Sequence, residues 1–583
     1  MADGREPYPA SSPRSTYSWT EIFRCFHIAL DPRKLLVAAL GILVMAFMWW
    51  LLSQIFWYKA PDPGAEKYQH STVQKDFEGK TNPSTGKPYT NEELPIAVAA
   101  EAQKRLNADR EQWKVLDSLA GTGGRLSTMP WYEVRGQNPF LFVTELIASP
   151  SVTWWGKIRS YFEQVAPVLL EPLVKLLLPV AKFISPGVSP WTRLYLFLIL
   201  LSNIAIWAFC AGIITRIAAV QLTNKGPVSL RQAVRFVCKR YLGYLGAPLV
   251  PLIIIAICAL GLAIYGILGL IPFIGDIFIY GLGLPVILLG GAAMAVFLVG
   301  LVGYPLMYPT LSAEGDQSDT FDALSRSINY VASSPWHYIW YWIVAILYGA
   351  AVTFFVLFFM SLSVYVGKWA VGLTASAVWS DRKPEYLFNY APESFGWKEL
   401  LTRDSPYAIT PSIIYYGPDG KPAATPTPGD RAVLGYRHVD PDAYQRARGE
   451  FWAYNNWGAG LVALWLTLFF LIMIGFSYSF FWCAATMIYL LMRRRVDEAE
   501  LDEVFLEDEE PEPPLAPPKI AEGTTPSSSL PVIQPPVAPP SPPPPHTPTF
   551  VPPPPVSPPP PPSASETLPF SPPPPPPEPP KSD

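Results

Sequence analysis

Six stretches of this chain are each long and apolar enough to cross a lipid bilayer, and this restricts its possible folds more than any other feature. A helix rises about 1.5 Å per residue, so a hydrocarbon core about 30 Å thick needs about 20 apolar residues. Leu35–Trp57, Trp191–Ile214, Leu245–Leu270, Leu282–Met307, Tyr338–Val366 and Gly460–Leu491 reach that length. Only 15% of the 583 residues are charged, against about 25% in an average soluble domain. The expected fold is therefore an all-α integral membrane protein of six spans, with the lipid bilayer as its first partner.

The first span (35–57) begins too late for a cleaved leader and ends in Trp49, Trp50, Trp57 and Tyr58 rather than in small residues. It reads as a signal anchor behind an amphipathic segment, 1–34. Arg24, Arg33 and Lys34 precede it. Arg216, Lys225, Arg231, Arg235, Lys239 and Arg240 lie between spans two and three, and Arg493, Arg494 and Arg495 follow the last span. Six crossings bring all three basic sites to one face, which the positive-inside rule makes cytoplasmic. The expectation is a cytoplasmic (inner) membrane protein with both termini in the cytoplasm. Val165–Ile184 is interrupted by Glu171, Lys175, Lys182 and three prolines, so it is expected to lie in the outer interface as an amphipathic helix rather than to span.

Two polar segments, 58–190 and 367–457, then fall outside the cytoplasm as α+β loops able to pack into one cap. Asn91–Leu119 has helical spacing, the glycines at 121–124 lack the spacing of a phosphate loop, and Ile413–Ala424 reads as a strand ending in a Pro-Asp-Gly turn. After the last span (458–495) comes an acidic stretch, 496–510, expected to continue the helix for a few turns. Val504, Phe505 and Leu506 within it form a candidate partner-docking face. The final 73 residues hold 34 of the 68 prolines, which favours an extended, disordered arm, either a spacer, the reading that the scarcity of basic residues beside its PxxP runs prefers, or a ligand for cytoplasmic proteins.

Spans two to five (191–366) contain a duplicated hairpin. Each copy is a span, a polar link, a short amphipathic helix and a return span. Ser229 caps the first short helix, with Leu230, Ala233, Val234 and Val237 at helical intervals, and Phe321, Leu324 and Ile328 share a face of the second. Both helices are expected along the inner interface with apolar faces down. In the second copy Pro309 and Glu314, then Ala323-Leu324, Ser327 and Trp336, resemble the P-x4-E…A-L-x-x-S…W signature of a bacterial membrane-domain family. That domain also precedes the catalytic domain of some glycerophosphodiester phosphodiesterases. The resemblance implies a helical membrane module; the catalytic barrel has no counterpart here, so it implies no activity. The ending YSFFWCAATMIYLLMRRRVDEAELDEVFLEDEE is similar to that of other multi-pass bacterial proteins and likewise implies no activity.

The function classes narrow accordingly. A net charge of −4 argues against nucleic acid, and the five cysteines and five histidines show no disulfide or metal-ligand spacing. No nucleophile–base pair or phosphate loop is found, and the acidic group Glu314, Asp316, Asp319 and Asp322 beside Arg326 reads as a solvated helix cap. The expectation is no enzyme, no cofactor and no metal. The spans carry no charge in their central turns, only Gln54, Ser202 and Asn203, while spans three and four are rich in small packing residues. A structural or partner-recruiting membrane protein is therefore expected, with a transporter or lipid-handling role as the alternative.

Overall fold

The computed structural model describes residues 18–57, 74, 88–90, 94–102, 104, 129–133, 135–148, 154–185, 188, 190–315, 318–378, 384–403, 405–416 and 431–506. After short turns over Ser18–Arg24 and Cys25–Ala29 come helices α1 (Pro32–Trp57), α2 (Pro139–Ala148), α3 (Trp154–Leu169) and α4 (Glu171–Ile184). The membrane module follows as α5 (Pro190–Leu222), α6 (Leu230–Lys239), α7 (Tyr241–Leu268), α8 (Leu284–Val302), α9 (Tyr304–Glu314), α10 (Thr320–Ser333) and α11 (Pro335–Val378). The chain then forms α12 (Trp397–Thr402), strands β1 (Ile409–Tyr416) and β2 (Arg431–His438), α13 (Pro441–Gly449) and α14 (Ala453–Val496).

Among the described residues, helices α1, α5, α7, α8, α11 and α14 are the six long and apolar enough to cross a membrane. α14 is the central post. From Phe470 to Met492 nearly every side chain is buried, as expected of a helix that is apolar all round. It lies so close to α1 that a Cβ on Gly475 would stand 2.9 Å from the Leu35 carbonyl oxygen, so only glycine permits this crossing. The Trp207 and Tyr478 rings stack at 4.8 Å and join α5 to the same post. α7 and α8 instead pack on each other and turn Ile257, Leu260, Ile264, Leu288 and Leu289 outward. That exposure suits a hydrocarbon solvent.

The basic segments meet at one end of the bundle, here termed the basic face. Arg33 donates to the Val228 carbonyl, Arg24 to that of Leu222 at 3.1 Å, and Lys225 stands 3.9 Å from Asp502. At the opposite end the two polar segments join. The Glu393 and Ser394 amides donate to the Trp131 carbonyl at 2.9 and 3.0 Å. Asn138 donates to the Phe395 carbonyl at 3.0 Å. Phe395 is buried with φ of 51°, a left-handed conformation costing about 1 kcal/mol or more, and the surrounding contacts hold it there. β1 and β2 pair antiparallel, Ile409 opposite His438. The strand thus starts earlier than Ile413, and the Pro-Asp-Gly turn lies outside the described residues. So do the glycines at 121–124 and most of 91–119, of which residues 94–102 are partly described as helix.

Three expectations are corrected. The fourth span stops at Val302 rather than Met307: Gly303 breaks it, and Pro305 opens the separate, wholly buried α9. Residues 165–184 are not one interfacial helix. The chain breaks at Leu170, and the 14 residues of α4 are about 21 Å long, too short to cross. Glu171 and Lys175 face the protein while Val174, Leu177, Phe183 and Ile184 are exposed, the reverse of a helix showing its charges to water. Finally, the acidic stretch does not prolong α14. The helix ends at Val496, Glu498 takes a left-handed φ of 56°, and the chain folds back as a strap over residues 497–506.

Candidate functional site

The two short helices are built alike and seated alike. α6 starts with a capping box, Ser229 accepting from the Gln232 amide and Gln232 from that of Ser229. α10 starts with Asp319 accepting from the Asp322 amide at 2.8 Å. Each places its apolar side on a neighbouring glycine. A Cβ on Gly212 would lie 3.1 Å from Val237, and one on Gly303 would lie 2.1 Å from the Ser327 hydroxyl. Ala233, Phe236 and Val237 on one helix and Ala323, Leu324 and Ser327 on the other are buried. These residues pack against protein, not down onto lipid as expected, while Phe321 of the second expected face is exposed. The return spans repeat a further contact: Tyr241 donates to the Ala205 carbonyl and Tyr338 to that of Val302, both at 2.9 Å.

The signature residues divide by location. Pro309 and Glu314 are buried in α9, and Ala323, Leu324 and Ser327 fix α10 against the α8–α9 break, Ser327 donating to the Gly300 carbonyl at 3.2 Å. Trp336 is 79% exposed and takes no part in this cluster; it stands at the start of α11 where an interfacial aromatic belongs. Glu314 is a hub. Its Oε1 accepts from Arg326 at 2.6 Å and from the Tyr489 hydroxyl at 2.7 Å, with Arg493 at 3.8 Å. Burial pushes its carboxyl above the ordinary range, against the Tyr489 hydrogen bond and the two guanidinium charges. Arg326 also pairs with Asp322 at 3.0 Å and reaches Asp497, to which Tyr330 donates. Glu314 is therefore not a solvated cap, and Asp316 lies outside the described residues.

The strap closes over this hub. The Phe505 amide donates to the Ala313 carbonyl and Arg216 donates to the Phe505 carbonyl, both at 2.8 Å. Arg493 donates to the Glu503 carbonyl at 2.6 Å. The Phe505 ring sits where a Cβ on Gly315 would be, 2.2 Å from the nearest ring atom, and Gly315 itself has a φ of 60°. Of the candidate docking triplet, Phe505 and Val504 are half-buried against this chain's own core and Leu506 is exposed. A buried carboxylate, three aromatic hydroxyl or ring groups and three arginines thus tie α5, α9, α10, α14 and the strap into one clasp.

A second assembly, near the opposite end, carries charge that the spans lack. Arg135, from the loop before α2, forks onto Glu171 at 2.9 and 3.2 Å, pairs with Glu133 and donates to Ser394 at 3.1 Å. Lys175 reaches Glu171 at 2.6 Å and Glu133 at 2.8 Å. Asn203 donates to the Lys175 carbonyl at 3.0 Å and accepts from the Trp49 indole at 2.7 Å. Asn203 lies about 20 Å along α5 from Arg216 on the basic face, within a core about 30 Å thick. Burial alone would raise the Glu171 carboxyl, but Arg135 and Lys175 outweigh it and hold it at about 2. Two carboxylates and two cations balance, so the cluster joins both polar segments to the bundle and leaves no free base.

The sequence does not announce this cluster because its charges come from a loop and from a helix read as water-facing. Asn203 and the three-residue Glu133–Arg135 spacing are its only traces. Among the described residues, no three His, Cys, Asp or Glu side chains are grouped to hold a metal ion. Compared with protein-family models, with curated proteins and with solved structures, the chain matches none.

Proposed function

We propose that this protein is a non-enzymatic membrane anchor that presents its proline-rich arm to partners in the cytoplasm of a bacterial cell, from the inner membrane. The observation that carries this reading is the clasp. Residues immediately before the arm are held by backbone and side-chain bonds at Ala313, Arg216 and Arg493, which gives the arm a fixed origin on the basic face. An extended proline-rich chain reaches about 3 Å per residue and keeps its carbonyls free for a groove-forming partner. The likeness of spans two to five to the membrane domain found ahead of some phosphodiesterases belongs to the same proposal, as a module without catalysis of its own. The test compares proximity labelling by the full chain and by a chain stopped after Asp508. The expected result is loss of the cytoplasmic neighbours with the arm; an unchanged set of neighbours removes the reading.

The Glu133–Arg135–Glu171–Lys175 cluster favours a second reading, transport or lipid handling, because charges at membrane depth commonly line ion or substrate paths. It requires water or substrate to reach the cluster. A cysteine in place of Asn203 that a small aqueous thiol reagent modifies would support it, and one that stays unmodified in the folded protein would not.

A further inference from the structure

The two copies of the hairpin differ in one respect that their shared construction does not require. In the second copy α10 carries charges of both signs, Asp322 and Arg326, which pair with each other. In the first, α6 carries Arg231, Arg235 and Lys239 at intervals of four, one stripe on the helix surface, and all three are exposed. Residues 221–240 contain no aspartate or glutamate. The opposite side of α6 is fixed. Phe236 is buried between the Arg216 and Arg240 guanidinium groups, each 3.9 Å from its ring, and Ala233 and Val237 lie under it. The helix therefore cannot roll to hide its charges.

Its position places the stripe close to the membrane boundary. α7 begins at Tyr241 directly after α6, and Leu242 is 78% exposed, an apolar side chain at the start of a membrane-crossing helix. Since α6 is only about 15 Å long, its charges lie within that distance of the hydrocarbon boundary, in the layer occupied by lipid headgroups. We propose that the Arg231–Arg235–Lys239 stripe is a binding ledge for anionic phospholipid headgroups. Guanidinium and ammonium groups at this depth pair with lipid phosphates, and each contributes separately to the attraction for an anionic leaflet. The ledge is independent of the arm and of its proposed partners.

The experiment measures how full-length protein selects between spin-labelled phosphatidylglycerol and phosphatidylcholine in phosphatidylcholine vesicles. Wild-type protein is expected to prefer the anionic label, and to lose much of that preference in high salt. The variant Arg231→Gln/Arg235→Gln/Lys239→Gln should lose about tenfold or more of the preference, and Arg231→Lys/Arg235→Lys should keep it. Arg494→Gln/Arg495→Gln, an exposed basic pair elsewhere on the same face, should change it by less than about threefold. If the triple variant does not fold, Arg235→Gln alone should still lower the preference a few-fold. The proposal is overturned if the Gln variants select lipids as wild type does. It is also overturned if selection emerges only after removal of residues 497–583, which would make the chain's own acidic segment the occupant.

Discussion

Replacing Arg135 with methionine should be the most damaging single change outside the central post. It leaves Glu171 and Glu133 to share Lys175 in a largely buried site, and removal of one partner from a buried ion pair costs about 3–5 kcal/mol. It also cuts the bond to Ser394, so the two polar segments lose a shared support. The expected readout is a fall of several degrees in the thermal transition of detergent-purified protein, with faster proteolysis at 384–403. The pH dependence separates charge from packing. In the wild type the Glu171 carboxyl is depressed to about 2, so its contribution is complete above the ordinary carboxylate range of about 4.3 and is lost only as pH falls through about 2. Between pH 8 and pH 5 wild-type stability set by this site should be flat. In Arg135→Met the Glu171 carboxyl keeps Lys175 but loses Arg135, the larger of the two charges that lower it, so its proton binds more readily than in the wild type. The variant should therefore recover part of its deficit as pH falls through the carboxylate range; a deficit that does not vary with pH would assign the loss to packing alone.

The second large effect is expected at Glu314. Alanine there removes the acceptor of Tyr489 and Arg326 together. The cost should be about 2–4 kcal/mol, because a buried hydroxyl and two partly exposed arginines are left to find other partners. Glutamine keeps an acceptor and carries no charge to bury. Since burial already raises the Glu314 carboxyl, glutamine should cost only about 1 kcal/mol. Glu314→Ala should also release the strap, seen as faster hydrogen exchange at the Phe505 amide and earlier cleavage between Asp497 and Leu506. Equal effects of alanine and glutamine would contradict the hub.

These two sites mark where sequence reading succeeds and where it stops. Span count, the common face of the basic segments and the caps at Ser229 and Asp319 depend on short-range pattern, so they are legible from local residues. The signature around Ala323 and Ser327 was legible as a motif, but its purpose, a close seat on Gly300 and Gly303, needed the helix break that Gly303 and Pro305 create. Long-range pairing left no local trace. Arg135 meets Glu171 with two helices of chain between them, and Phe505 meets Ala313 across almost 200 residues. An acidic run flanking an apolar triplet has the same pattern whether the triplet awaits a partner or docks on its own module. Trp336 belongs to the same motif as Ala323 and Ser327 but stands exposed at the start of α11, where an interfacial position accounts for it.

The central claim is that six crossings put the basic clasp, and the arm it anchors, on one side of the bilayer and the joined polar segments on the other. Cys238 on α6 is exposed, while Cys25, Cys210 and Cys483 are buried, so the native chain already carries a reporter for the basic face. Membrane-impermeant maleimide applied to sealed vesicles of one orientation should label Cys238 and a Ser582→Cys variant together, and should leave an Asp442→Cys site on α13 unlabelled until the vesicles are opened. Labelling of Ser582→Cys and Asp442→Cys from the same side, with Cys238 protected, would contradict it.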